Sequence, residues 1–374
     1  MGNLTVQYPP EVCDESGEFS SERLLTYYNA CRLTVEKFAQ KSDLKIVRHN
    51  VLLLVDLQGV YLGVVRWLAE QNFPIDGGMV ASRIANFMLE DVAREVEQKV
   101  LGELAQAVLF NDLVRGVFRK EYDQIPLNDD VTQILDIKTT TELFYAPVPL
   151  ASIEWQLKKH ARGGSVEARR QLDDLQSGLL KPHGDARDYA HYDNFIASLK
   201  KNATVSRWEE GFFNFYVNAN GLKSFDEKEV DTRIVIRAVD ACVDYEADSI
   251  CIVSSDQDFV PVHERADKSG VRSYQADASK FATPDRIGRR IKDLGDRFIP
   301  VAFSPQWPMR VVFEACGHDP FNGVPIGDHV RKGVSSREFS ALCQLHNRMN
   351  DEFHLEAVTV DQETNVRVIS RTEA

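Results

Sequence analysis

The sequence predicts an α/β fold with a central, mainly parallel sheet. Two short apolar runs that stop at aspartate carry that expectation, VLLLVD at Val51–Asp56 and ICIVSSDQDFVP at Ile250–Pro261. Segments of helical periodicity lie between and after them, and strands alternating with helices imply parallel βαβ units. Ligands of such sheets sit outside the carboxyl ends of the strands, and the pattern puts Asp56 and Asp256 at those ends.

The elements follow in chain order. Residues 1–48 read as a lead-in, with a helix from Ser21 to about Lys41 where Leu24, Tyr27, Tyr28, Cys31, Val35 and Phe38 recur at helical spacing. After the first strand, Val80, Ile84, Phe87, Met88, Val92, Val96, Val100, Leu104 and Val108 keep steps of three and four, which predicts one long amphipathic helix or two broken ones. A second strand is expected from Glu142 to Val148, closed by Pro147 and Pro149, which cannot continue a central ladder. From Ser152 to Lys201 the chain is polar, with Gly163-Gly164-Ser165 and Lys181-Pro182-His183-Gly184-Asp185 as breakers. The pattern then predicts helix from Tyr192 to Leu199, a third strand from Phe212 to Val217 and helix from about Glu229 to Tyr245. Strand from Ser249 to Ser254, helix from about Val260 to Ser269 and strand from Val271 to Gln275 complete the series.

Composition narrows the function classes. A chain of 374 residues with 43% hydrophobic content buries a substantial core. Its first residues lack a basic stretch followed by an apolar one, and no apolar run reaches the roughly 20 residues of a membrane span, so neither secretion nor membrane insertion is expected. Six scattered cysteines without a CxxC pair suit a reducing cytoplasm and argue against structural zinc. The net charge of −13 opposes a general electrostatic grip on nucleic acid, though a local basic patch can still guide a polyanion. Lys158, Lys159, Arg162, Arg169 and Arg170 are the candidates for that patch; a solvated helical face is the competing reading.

The aspartates suggest a metal site. Mg2+ and Mn2+ prefer oxygen ligands and keep waters, so a few carboxylates and substrate phosphate oxygens suffice. Asp56 and Asp256 are the expected direct ligands, with Asp231 and Asp258 completing the ring or holding metal-bound waters. Ser254 or Ser255 would orient a phosphate or a carboxylate. Any single aspartate at a strand end is more often a helix cap or turn residue, but four in this arrangement point to a cation. His183, His191 and His263 are read as surface or satisfied polar groups, and Trp67, Trp155 and Trp208 as core rather than base-stacking residues.

The segment from Asn50 to about Val301 resembles the NYN domain, a PIN-like nuclease fold. Members open a helix with K-G-V-D, end a strand in V-S-G-D-G-D-F-x-P, and close with L…A-D-x-F. The corresponding positions here are Lys228-Glu229-Val230-Asp231, Val253-Ser254-Ser255-Asp256-Gln257-Asp258-Phe259-Val260-Pro261 and Ile291…Gly295-Asp296-Arg297-Phe298. Two positions depart from the family: Gly59 stands where asparagine is common, and Arg237 where a further aspartate is found. Asp240, nine residues after Asp231, falls on about the opposite helix face and is left out of the site. Asp296 is read as a buttress of the last helix.

The resemblance implies a three-layer sandwich over residues 49–302, with helical insertions at about 62–140 and 152–190. It implies a metal-dependent endoribonuclease using Mg2+ or Mn2+ at Asp56, Asp231, Asp256 and Asp258, acting on single-stranded or structured RNA. A catalytically weak nucleic-acid-binding or regulatory module, and a metal-dependent phosphatase or nucleotide hydrolase, are the alternatives; a homo-oligomer is left open. Residues 303–374 form a small extension in which Ser335-Ser336-Arg337-Glu338 is a capping box, followed by a helix and a β-hairpin of residues 354–360 and 365–370.

Overall fold

The first apolar run becomes strand β1 (Lys45–Asp56), and its side chains from Val51 to Val55 are almost completely buried. A central parallel strand is covered by helices on both faces, so it needs no polar alternation. The computed structural model describes residues 45–75, 78–106, 133–177, 191–202, 205–277, 289–301, 304, 307–316, 324–325, 334–350, 353–360 and 363–370; the helix expected from Ser21 to Lys41 lies outside them.

From β1 the chain passes through α1 (Leu57–Glu70) and α2 (Met79–Gln106) to β2 (Gln133–Tyr145), then through α3 (Leu150–Arg162), α4 (Val166–Gln176) and α5 (Tyr192–Asn202) to β3 (Arg207–Glu210). A hairpin of β4 (Phe212–Asn218) and β5 (Gly221–Lys228) leads into α6 (Val230–Val243), β6 (Ser249–Val253), α7 (Val260–Lys268), β7 (Arg272–Ala276) and β8 (Phe298–Ile299). The main sheet has the order β3-β2-β1-β6-β7-β8, and every pair in it is parallel.

Helices cover both faces, as a three-layer sandwich requires. Side chains an odd number of residues apart on a strand point to opposite faces. On β2, Glu142 reaches Arg237 of α6 and Tyr145 reaches Lys200 of α5, so these helices lie on opposite sides. Helix α2 packs with α1 and α5, Tyr61 of α1 meets Tyr192 and Phe195 of α5, and α7 packs with α6. Strand β6 is buried at all five positions, the consequence of being covered on both faces.

Three expectations need correction. The segment from Phe212 to Val217 is a strand, but it belongs to the separate antiparallel hairpin rather than to the main sheet. The third strand on that side is β3, RWEE, whose three charged residues around one tryptophan give no apolar signature, in keeping with a strand that pairs on one flank only, with β2. Second, β2 stops at Tyr145 rather than Val148, three residues earlier than expected, before the first of the two prolines. Third, Trp155 is 63% exposed, whereas Trp67 is core.

The C-terminal extension is anchored on α2. Helix α8 (Trp307–Cys316) buries Trp307, whose indole N–H donates to Asp91 at 2.8 Å, and Arg310 pairs with Glu90 at 2.8 Å. After β9 (Val324–Pro325), α9 (Ser336–Met349) opens with the expected capping box between Ser335 and Glu338. The hairpin of β10 (Phe353–Val360) and β11 (Glu363–Ser370) is antiparallel and takes β9 as its third strand. Among the described residues no helix is long and apolar enough to cross a membrane.

Candidate metal centre

The sheet order reverses at one place. From β1 the chain moves outward to β2 and β3; from β6 it moves the other way to β7 and β8. The crevice at the carboxyl ends of β1 and β6 is therefore the topological switch point, where open α/β sheets bind ligands. Val55 is level with Val253, so Asp56 emerges beside Ser254 and the turn that carries Asp256 and Asp258.

Asp56 has two jobs. It is the N-cap of α1, accepting from the Gly59 N–H through Oδ1 at 3.1 Å, and through Oδ2 it accepts from the Ser254 hydroxyl at 3.1 Å. Burial raises its carboxyl above the ordinary range, with a smaller push from the Asp256 charge, while the bonds from Gly59, Ser254 and Gln58 pull it down. Ser254 is 2% exposed, and its oxygen also accepts from the Asp256 N–H at 3.2 Å. One hydroxyl thus ties the two strand ends together, by donating to the Asp56 carboxylate and accepting from the Asp256 N–H. Ser255 is half-buried beside it. Asp256 caps the short turn Gln257–Phe259, accepting from the Asp258 N–H at 2.8 Å, and buried Phe259 pins that turn to the core.

Asp231 stands in the first turn of α6, on the face of the sheet that Asp56 shares. Glu229 just before it takes a left-handed conformation, φ 72°, which lets β5 turn directly into the helix. Although Asp231 is open to solvent on its outer side, its carboxyl is pushed up to about 6, by loss of hydration first and then by Asp56, Asp256 and Asp258. The four predicted carboxylates therefore share one electrostatic neighbourhood.

A fifth carboxylate, Glu227 on β5, was not foreseen. Its carboxyl is pushed up to about 9, by burial first and then by the charges of Asp56 and Asp231, and its buried Oε2 has no hydrogen-bond partner among the described residues. It escaped the sequence reading because β5 did. The signal was there: Asn220-Gly221 between two strand-like runs is a strong hairpin marker. Gly221 has φ 86°, and a Cβ there would lie 2.5 Å from Gln171 Oε1.

The donor set is oxygen throughout, with no cysteine or histidine among these five residues. Among the described residues, no three His, Cys, Asp or Glu side chains stand close enough to hold an ion by themselves. The like charges, and the orphaned Glu227 oxygen, are what a bound dication would relieve.

Both departures from the NYN pattern have structural counterparts. A Cβ at Gly59 would lie 2.7 Å from Asp56 Oδ2, so the glycine leaves room for the carboxylate to fold back over its own helix. Arg237 makes a two-pronged pair with Glu142, at 2.9 Å from Nε to Oε2 and 2.9 Å from Nη2 to Oε1, and reaches Glu246 at 2.7 Å. It is a structural ion pair between α6 and β2. Asp240 is exposed, and Asp296 lies in a short turn before β8 where its carbonyl accepts from Lys99 at 3.0 Å. His263 is buried and bonded to Gln275.

The basic candidates do not adjoin the carboxylates. They lie on α3 and α4, which pack on the β4–β5 hairpin. Gln171 of α4 accepts from the Leu222 N–H at 2.6 Å, at the turn end of β5, whereas Glu227 lies five residues further on, about 17 Å at strand rise. Lys158 pairs with Glu154 and Arg170 with Glu167, both at 2.6 Å, and Lys159 lies 5.7 Å from the Trp155 ring centre. Arg162 and Arg169 share those helices.

The fold defines the class: an α/β protein with an all-parallel main sheet and acidic side chains at its switch point. Residues 172–301 match the family model of the NYN domain, a PIN-like family whose members are generally nucleases. The matched span holds Glu227, Asp231, Asp256 and Asp258, while β1 and Asp56 precede it. No curated protein matches the chain. Among solved structures it is similar to a protein of unknown function from Vibrio parahaemolyticus, at 16% identity over 70% of this chain and 96% of that one, with a TM-score of 0.25.

Proposed function

We propose that this chain is a metal-dependent endoribonuclease, with residues 49–302 as the nuclease unit and 303–374 as its packing extension. The observation that carries the reading is that Asp56, Asp231, Asp256, Asp258 and Glu227 feel one another's charge near the switch point, with one Glu227 oxygen buried and, among the described residues, unpartnered. Asp56 and Asp256 would hold Mg2+ or Mn2+ directly, and Asp231, Asp258 and Glu227 would orient the surrounding waters. A bound dication supplies Lewis acidity and neutralises charge on a phosphodiester.

The chain's own contribution is positioning. The Ser254 hydroxyl holds Asp56 and the Asp256 backbone in one arrangement before substrate arrives, so little reorganisation is needed at the moment of reaction. Asp231 and Asp258 are the exposed members, placed to meet a substrate or its waters from the solvent side. Lys158, Lys159, Arg162, Arg169 and Arg170, on the helices at the hairpin's far end, would steer a polyanion toward the crevice rather than touch the scissile bond.

The test is cleavage of labelled single-stranded RNA, single-stranded DNA and free nucleotides by the purified chain, with Mn2+ or with chelator. Cleavage of RNA that needs Mn2+ and vanishes in Asp256→Asn is expected. Hydrolysis of nucleotides alone would favour the phosphatase alternative. RNA binding with no turnover above that of Asp256→Asn would favour the binding module.

A further inference from the structure

Strand β7 contains one residue that its position does not call for. Gln275 sits level with Ile252 of the central strand β6 and is completely buried. A polar side chain in that place must find partners, and it finds three. Its amide nitrogen donates to the Ser254 carbonyl at 3.0 Å and to the Asp256 carbonyl at 2.8 Å, and its Oε1 lies 3.1 Å from His263 Nε2 on α7. Two carbonyl acceptors require both N–H groups of the amide, which leaves Oε1 to accept. His263 must then carry its proton on Nε2; its buried Nδ1 has no partner among the described residues.

These contacts bear on the residues that form the candidate metal centre. Ser254 and Asp256 lie beyond the end of β6, where the ladder no longer supplies donors to their carbonyls. Gln275 supplies both, and so fixes the peptide planes that follow Ser254 and Asp256. The same two residues aim the hydroxyl that holds Asp56 and the carboxylate of Asp256. We propose that Gln275, itself oriented by His263, is the positioning residue of this site: it sets the Ser254–Asp256 turn and thereby the spacing of the two principal carboxylates. The inference rests on the proposed metal reading, but it concerns cation affinity before any RNA is bound.

The experiment compares the full chain with Gln275→Met, which keeps length and apolar volume but loses both donors, and Gln275→Glu, which when protonated keeps one. Mn2+ binding is followed without RNA by the electron paramagnetic resonance of the free ion, and RNA cleavage is followed against Mn2+ concentration. Gln275→Met is expected to weaken Mn2+ at least tenfold and to lower kcat with little change in KM for RNA, with Gln275→Glu intermediate. Mn2+ affinity within twofold of the parent in Gln275→Met overturns the proposal. If Gln275→Met does not fold, His263→Phe carries the test: it frees Oε1 and should weaken Mn2+ severalfold, and unchanged affinity again overturns the idea. A parent chain that binds Mn2+ without cleaving RNA removes the nuclease reading and leaves the positioning role standing. A parent that binds no Mn2+ removes both.

Discussion

Gly59→Ala is a small change with opposed consequences, and the structure decides between them. Gly59 is the third residue of α1, where alanine gains up to about 1 kcal/mol in helix propensity. The added Cβ, however, would sit 2.7 Å from Asp56 Oδ2, inside any tolerable contact. The carboxylate cannot simply lean away, because it accepts from the Gly59 N–H on one oxygen and from Ser254 on the other. Turning it forfeits at least the Ser254 bond, and a hydrogen bond to a charged group contributes about 1.5–3 kcal/mol. The net loss is then about 0.5–2 kcal/mol, or about 1–3 °C in Tm for a chain this long. Activity should suffer far more, falling at least tenfold with a higher Mn2+ requirement, because a ligand has been rotated. Thermal unfolding and Mn2+-dependent RNA cleavage on the same preparation give both numbers. A variant as stable as the parent or more so, with unaltered cleavage, would show that Asp56 is not held against Gly59 in the way the structure describes. Gly59→Asn meets the same obstruction.

Arg237→Met should destabilise the chain by about 3–5 kcal/mol by leaving Glu142 buried without its partner, and adding Glu142→Leu should recover much of that loss. Denaturant unfolding of the two single variants and the double closes the cycle; equal midpoints for Arg237→Met and the parent would count against a buried pair. In metal-free buffer, folding raises the carboxyl of Glu227 from 4.5 to about 9 and that of Asp231 from 3.8 to about 6, so the native state binds more protons than the unfolded one. Their stability contribution is present in acid and is lost as pH rises toward about 9; Mn2+ should raise Tm more at pH 8 than at pH 6, and a flat, metal-insensitive Tm over that range would contradict the crowding of charges. Gly221→Ala should lower stability by more than 1 kcal/mol, since φ is 86° and the new Cβ would meet Gln171, and it should weaken RNA cleavage through the strand that carries Glu227. An unchanged denaturation midpoint would show that the turn tolerates a side chain.

Much of the architecture was legible because local patterns and the global fold agree. The all-apolar β1 and β6, the helical steps from Val80 onward, and the Ser335–Glu338 box each declare their state within a few residues. The two errors in the sheet came from places where that agreement is weak. Strand β3 is short and polar because it pairs on one side, and the β4–β5 hairpin was missed although Asn220-Gly221 marks its turn. The missed hairpin concealed Glu227, because a lone glutamate on an unassigned strand has no address.

Sequence alone determined where the candidate carboxylates stand along the chain: aspartates at the ends of two apolar runs, one at a helix entrance, and a D-x-D-F-x-P turn. Strand ends and helix starts are set by nearest neighbours, so they can be read from the chain. Tertiary structure decided what those carboxylates experience. Ser254 joins residues from positions nearly 200 apart, Gln275 reaches back from the next strand to hold the turn, and Arg237 is diverted to Glu142. Burial and like-charge crowding raise Asp56, Asp231 and Glu227 together, an effect that depends on distances through space and not along the chain.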